Sequence, residues 1–239
     1  MTYSLSIPLI YITVLGAGLI VFIMLARLLT AAAKDTHEGF AHFVLAIIAV
    51  WWVSAIAFGC FIGLSQNTFY VTLALPLTLV SILCFTPQMS AILQNIRLDH
   101  LILLSFYRNA GAIFLYLYYV EAALSAGFAL NAGWGDVLTG MLAPMVAYLV
   151  WKRSKFVVPA ILIWSLIGIG DLILAPVSAI LYGAKSLTDF PLNLIPLLLG
   201  PPFGISLHLI TLRALWLKRN AYPKAALSID KRTISNVQI

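Results

Sequence analysis

Six ionisable side chains stand inside stretches that are otherwise apolar: Arg108, Glu121, Asp136, Asp171, His208 and Arg213. Between them they could do three kinds of chemistry. An arginine presents a planar donor fork suited to a carboxylate. A histidine and an aspartate can hold or exchange protons. Two aspartates at close range could share one proton and activate water, because like charges so placed cannot both ionise. That last option has a sequence pattern. Gly-x-Gly-Asp occurs at Gly133-Trp134-Gly135-Asp136 and again at Gly168-Ile169-Gly170-Asp171, with Leu-Ala-Pro further on, at 142–144 and 174–176.

The elements that position these groups follow from composition. The chain has 239 residues, of which 62% are hydrophobic and only 9% charged, with a mean hydropathy of +1.03. A soluble domain carries about a quarter charged residues. This chain cannot cover a water-facing surface, so lipid is most of its solvent. The net charge of +6 marks loops and is no nucleic-acid patch. Cys60 and Cys84 lie in apolar runs with no metal-ligand or disulfide spacing.

Each crossing needs about 20 apolar residues. The pattern predicts an all-α, polytopic helix bundle with seven transmembrane spans, near 7–29, 42–64, 70–95, 101–126, 132–151, 157–183 and 190–217. These form one transmembrane domain over 1–217, followed by a polar tail over 218–239. The first span is expected to remain as an anchor, because its apolar run is too long for a signal-peptide core. Ser65-Gln66-Asn67-Thr68 divides the second span from the third, and Ala-Gly-Trp-Gly-Asp (132–136) is read as the turn before the fifth. Pro191, Pro196, Pro201 and Pro202 predict a broken seventh helix. Seven crossings gather eleven of the fourteen basic residues on one side, with Lys185 alone opposite. The positive-inside rule then puts the amino terminus outside and the carboxyl terminus in the cytoplasm. Trp134, Trp151 and Trp216 fall where an aromatic belt is expected.

On these boundaries the polar groups form a string across the bilayer. Arg108 lies ~10 Å and His208 ~13 Å above the cytoplasmic boundary at helical rise. Asp171 is central, ~18 Å from the outer surface, and Asp136 only ~6 Å deep. Glu121 shares that outer third, and Arg213 is a turn from the cytoplasm, where it can snorkel. Ionisable groups inside spans are functional candidates by default. The plainer alternative is an Arg108–Asp171 pair fixing helix packing, with Glu121 and Asp136 hydrated. No second mid-membrane imidazole joins His208 for a haem, and the seventh helix has no lysine before Lys218 for a retinal. Trp51 and Trp52 lie deeper than an interface, where an indole N–H wants a partner; they are candidates to line a site for an apolar or aromatic ligand, with ordinary lipid-facing packing as the alternative.

Three resemblances bear on function. The paired Gly-x-Gly-Asp motifs resemble those of intramembrane aspartyl proteases and prepilin peptidases, which implies Asp136 and Asp171 as a catalytic pair. Their unequal depths oppose it, and glycines for close helix packing are the alternative. Pro87-Gln88 is similar to the signature of the PQ-loop and SWEET-type sugar carriers, but it ends the third span here and has no second copy. Phe106-Tyr107-Arg108-Asn109-Ala110-Gly111, Phe128 through Asp136, Ala143-Pro144, Asp171 and Leu207-His208 resemble a group of uncharacterised bacterial seven-helix membrane proteins. That resemblance, over about 95–217, implies a bacterial inner-membrane setting and no activity.

Three functions are therefore expected in competition. One is a bundle binding, and as a carrier moving, a small amphipathic or anionic molecule, with Arg108, Asp171, His208, Glu121 and Asp136 as ligand-binding residues. Another is an accessory subunit whose inward polar groups meet a partner of a larger membrane complex or a pigment. The third is an aspartyl hydrolase using Asp136 and Asp171. No metal site and no particular cofactor is implied, and the constant partner is the lipid bilayer.

Overall fold

The computed structural model describes residues 6–34, 36–58, 66–182 and 192–222, and the described residues form helices and turns with no strand. Cys60, Lys185, Pro191 and most of the polar tail lie outside them. Six helices are long and apolar enough to cross a membrane, or seven if one bent pair counts as a span. In chain order the helices are α1 (Pro8–Ala33), α2 (Glu38–Ala57), the bent pair α3 (Gln66–Cys84) and α4 (Pro87–Asn95), α5 (Leu98–Tyr119), α6 (Ala126–Trp151) and α7 (Val157–Leu181), and the sixth membrane-length stretch is Leu194–Ala221. A short α8 (Leu194–Leu198) and α9 (Pro201–Lys218) complete the bundle.

Proline and glycine explain the departures from the expected spans. The third span is not straight: α3 and α4 meet at 79°. Thr86 is extended, as a residue before proline prefers, and its hydroxyl caps the Met89 N–H with Pro87 in the first helical turn. Pro87-Gln88 thus begins a helix where the sequence reading had it end one. The expected break in the last span falls at Leu199–Gly200. There the freed Leu199 carbonyl accepts a hydrogen bond from Tyr107 Oη on α5 at 2.9 Å. Inside a bilayer a neighbouring helix must supply such a donor, since water cannot.

The largest correction concerns the turn before α6. The sequence reading put it at 132–136, but α6 begins at Ala126, and the chain turns before it, where Ala122 has a left-handed φ of 49°. Asp136 therefore lies ten residues, about 15 Å, inside its helix. Asp171 lies ten residues before the end of α7, at the same estimated depth. The register is held at the helix ends, where the Tyr182 ring occupies the space a side chain at Gly127 would need.

Trp151 and Trp216 sit at helix ends under cations, Lys152 Nζ 4.5 Å and Arg219 Cζ 4.0 Å from their ring centres. Trp134 is exposed on α6 eight residues from its start, well inside the end where an aromatic belt was expected. Polar contacts gather one end of the bundle. Asn95 Nδ2 donates to the Ala32 carbonyl at 3.4 Å, and Lys218 Nζ donates to the Ile96 carbonyl. The carboxyl-terminal ends of α1, α4 and α9 thereby meet the start of α5.

Candidate functional site: a buried arginine between two aspartates

The site is built around a change of helix geometry in α5. Residues Ser105–Gly111 form a 3₁₀ segment in mid-helix. With three residues per turn, side chains at i and i+3 eclipse, so Ser105, Arg108 and Gly111 share one face. All three are buried. Asn109 Nδ2 reaches back to the Phe106 carbonyl at 2.7 Å, a local bond that competes with regular helix. The face so produced points a cation and a bare glycine at α6.

Asp136 occupies that glycine. A side chain at Gly111 would overlap the Asp136 carboxylate, and Arg108 Nε donates to Asp136 Oδ1 at 2.7 Å. Arg108 Nη2 donates to Asp171 Oδ2, and Nη1 donates to the Gly168 carbonyl at 3.1 Å. Every nitrogen of the guanidinium therefore has a protein partner. Its Nε–Nη2 edge, which commonly grips both oxygens of one carboxylate, here takes one oxygen from each of two. The aspartates consequently stand side by side, and the objection from their unequal depths falls.

His208 completes the cluster from α9. Its ring is fully buried, packs on Trp164 at 4.4 Å between centroids, and brings Nε2 to 3.5 Å from Arg108 Nη1. A nitrogen facing a guanidinium N–H can only accept. Its Nδ1 has no partner among the described residues, and neither do the buried hydroxyls of Thr139 and Ser165. These two flank Trp164, whose Nε1 donates to the Thr139 carbonyl at 3.0 Å. Orphaned buried polar atoms gathered beside an ion cluster suit ordered water.

Glycines set how closely the helices approach. A side chain at Gly135 would overlap the Asp171 carboxylate, and one at Gly168 would overlap the His208 ring and crowd Arg108 Nη1. At Gly140 it would meet the Asn109 amide at 2.7 Å. In the two Gly-x-Gly-Asp motifs Gly135 is thus a seat for the Asp171 carboxylate and Gly168 for the His208 imidazole, while Gly133 makes room for the Leu115 side chain. Gly170 has nothing within 4 Å and takes no part.

Of the five sequence candidates, four come together: Arg108, Asp136, Asp171 and His208. Glu121 does not. It follows the end of α5 and accepts a bond from Tyr116 Oη at 3.3 Å. Arg213 also lies apart, its Nη2 donating to Ser90 Oγ at 3.3 Å and its Cζ 5.4 Å from the centre of the Phe85 ring. Gly111, the Gly168 carbonyl, Thr139 and Ser165 were missed, because small residues and hydroxyls in apolar helices carry no periodic signal of their own.

The Arg108 side chain is 1% exposed, against 19% for Asp136 and 11% for Asp171. The cation is sealed, while both carboxylates keep an accessible edge. No curated protein and no solved structure matches the chain. Residues 62–216, which hold all four clustered side chains, match a family described as a domain of unknown function (DUF8737), and the chain belongs to that family.

Proposed function

We propose that the protein is a multi-pass carrier of the bacterial inner membrane whose Asp136–Arg108–Asp171 centre takes up and releases a proton. The observation that carries this reading is one guanidinium holding two adjacent carboxylates. With all three groups ionised the site has a formal charge of −1, and its surroundings are apolar. One proton shared between the aspartates brings it to neutrality. The 19% and 11% exposure of Asp136 and Asp171 is the surface through which that proton would enter and leave. Each nitrogen of Arg108 is already engaged, so an anionic cargo competes for it with Asp136 and Asp171. We therefore read the centre as a proton site first, with any small amphipathic or anionic cargo bound in exchange. Loss of one aspartate from the guanidinium on protonation would free the donor such a cargo needs.

The clustering of the carboxyl-terminal ends of α1, α4 and α9 with the start of α5 supports a cytoplasmic placement for Lys34, Arg97 and Lys218. With the bent pair α3–α4 counted as one crossing, the amino terminus is then outside.

The test is proton movement in vesicles. Liposomes containing the protein and an internal pH-sensitive dye should acidify under an imposed inside-negative potential faster than empty liposomes. Asp171→Asn should abolish the excess, and Glu121→Gln should leave it intact. Equal rates for the wild type and Asp171→Asn would remove the proton role. A second reading, an accessory subunit of a larger complex, draws support from the same bonds of Arg108, since a guanidinium tied to both aspartates and the Gly168 carbonyl also serves as a staple between α5, α6 and α7. It predicts that replacing all three charges by neutral residues of similar shape leaves assembly and function unchanged.

A further inference from the structure

Arg213 is a cation in want of a counter-charge. Arg108 has Asp136 and Asp171, and Arg97 has Asp99, but no carboxylate among the described residues pairs with Arg213. Its side chain is nevertheless half-buried on α9, five residues before the helix ends at Lys218. A cation held in low dielectric attracts an anion strongly.

The guanidinium sits against the elbow where α3 and α4 meet at 79°. Nη2 donates to Ser90 Oγ, in the first turn of α4, at 3.3 Å, and Cζ lies 5.4 Å from the centre of the exposed Phe85 ring. Its nitrogens differ in access. Nε is sealed and has no partner. Nη1 also lacks a partner among the described residues but is not sealed, so an incoming group can reach its N–H bonds.

Ser90 supplies a second donor. The hydroxyls of Ser81, Ser206 and Thr211 give their hydrogen to the carbonyl four residues back. Ser90 makes no such bond among the described residues, and with Oγ accepting from Arg213 its hydrogen is left to donate.

The depth of the elbow follows from α4. Met89, Ile92 and Leu93 are its buried face, while Gln88, Gln94 and Asn95 stand exposed. Exposed amides are costly among acyl chains and belong at the level of lipid head groups. A short helix at 79° to a membrane-crossing one, apolar inward and polar outward, has the geometry of an interfacial helix. Arg213 and Ser90 share that level through their hydrogen bond.

We propose that Arg213 and Ser90 bind a phosphate group at this elbow, with Nη1 and the serine hydroxyl donating to its oxygens. A guanidinium suits phosphate in both charge and donor geometry. Phosphate at head-group level comes from a phospholipid or, free, from the adjoining water. This binding is independent of the proton site.

Native mass spectrometry tests it, on the full chain in detergent titrated with dioleoyl phosphatidylglycerol. The wild type should bind one lipid about tenfold or more tightly than Arg213→Gln, the scale of a lost charged hydrogen bond. Arg213→Lys should restore part of the affinity. Arg219→Gln, which removes the cation resting on Trp216 at the same helix end, should leave it unchanged. Displacement of the lipid by inorganic phosphate identifies free phosphate as the occupant, and retention in its presence a lipid head group. Unfolding temperatures in lipid-free detergent show that each variant is folded. If Arg213→Gln does not fold, Ser90→Ala takes its place, with about a threefold loss expected. The same lipid affinity in the wild type and in the folded variant would overturn the proposal. So would an equal loss in Arg219→Gln, which marks attraction to net charge alone.

Discussion

Replacing Arg108 by methionine should cost about 3–5 kcal/mol of stability, the range for stranding a buried charge by removing its partner. The variant leaves Asp136 and Asp171 side by side among apolar residues, with the Gly168 carbonyl deprived of its donor as well. Thermal unfolding in mild detergent measures the loss. The same measurement on Arg108→Met combined with Asp136→Asn and Asp171→Asn should recover most of it, because no ionised group then remains buried. Recovery identifies charge, and not the shape of the arginine, as the source of the effect. It also separates the two functional readings: the triple variant should fold yet move no protons if the centre is a proton site. Failure of the triple variant to recover stability would mean that the guanidinium acts mainly through packing.

The glycines predict an effect of similar rank with opposite signs inside one motif. Gly135→Ala puts a methyl group where the Asp171 carboxylate lies, and Gly168→Ala puts one into the His208 ring. Each should destabilise by about 1–3 kcal/mol, as overpacking does. Asp171 can swing away from a methyl at position 135 only by leaving Arg108, so relaxation does not escape the cost. Gly170→Ala meets open space and should be neutral or stabilising by up to about 1 kcal/mol through helix propensity. If Gly135→Ala, Gly168→Ala and Gly170→Ala unfold at one temperature, the glycines are not seats for the cluster. The comparison also bears on the aspartyl-protease resemblance, since a close-packing role accounts for Gly135 and Gly168 without catalysis.

The class of fold was legible because it depends on quantities a sequence states outright. Long apolar runs and a shortage of charge require helices in lipid, and the prolines after Leu199 mark a break that the structure contains. The Arg108–Asp171 pair was also within reach as the plainer alternative, since two opposite charges in facing spans must find each other. Asp136 was misplaced for a physical reason. Gly133, Gly135 and an acidic residue look like a turn when helices are imagined in water. In a packed membrane bundle the same glycines thin a helix so that the Leu115 side chain and the Asp171 carboxylate can enter. Its true depth came from an earlier start of the helix, at Ala126 and not at 132, that local propensity does not announce. The 3₁₀ segment around Arg108 was likewise hidden, because neither the Asn109–Phe106 bond nor the contact of Gly111 with Asp136 leaves a pattern in the apolar run.

The central claim is that Asp136 and Asp171 share one proton beside Arg108. Infrared difference spectroscopy of the protein in lipid, with exchange into D₂O, tests it directly through the carbonyl stretch of a protonated carboxylic acid. The wild type should display one such buried band at neutral pH. Asp136→Asn and Asp171→Asn should each remove it, because the remaining carboxylate then pairs with Arg108 as a neutral ion pair and needs no proton. A wild-type spectrum without the band, or a band that persists undiminished in both single variants, would contradict the account.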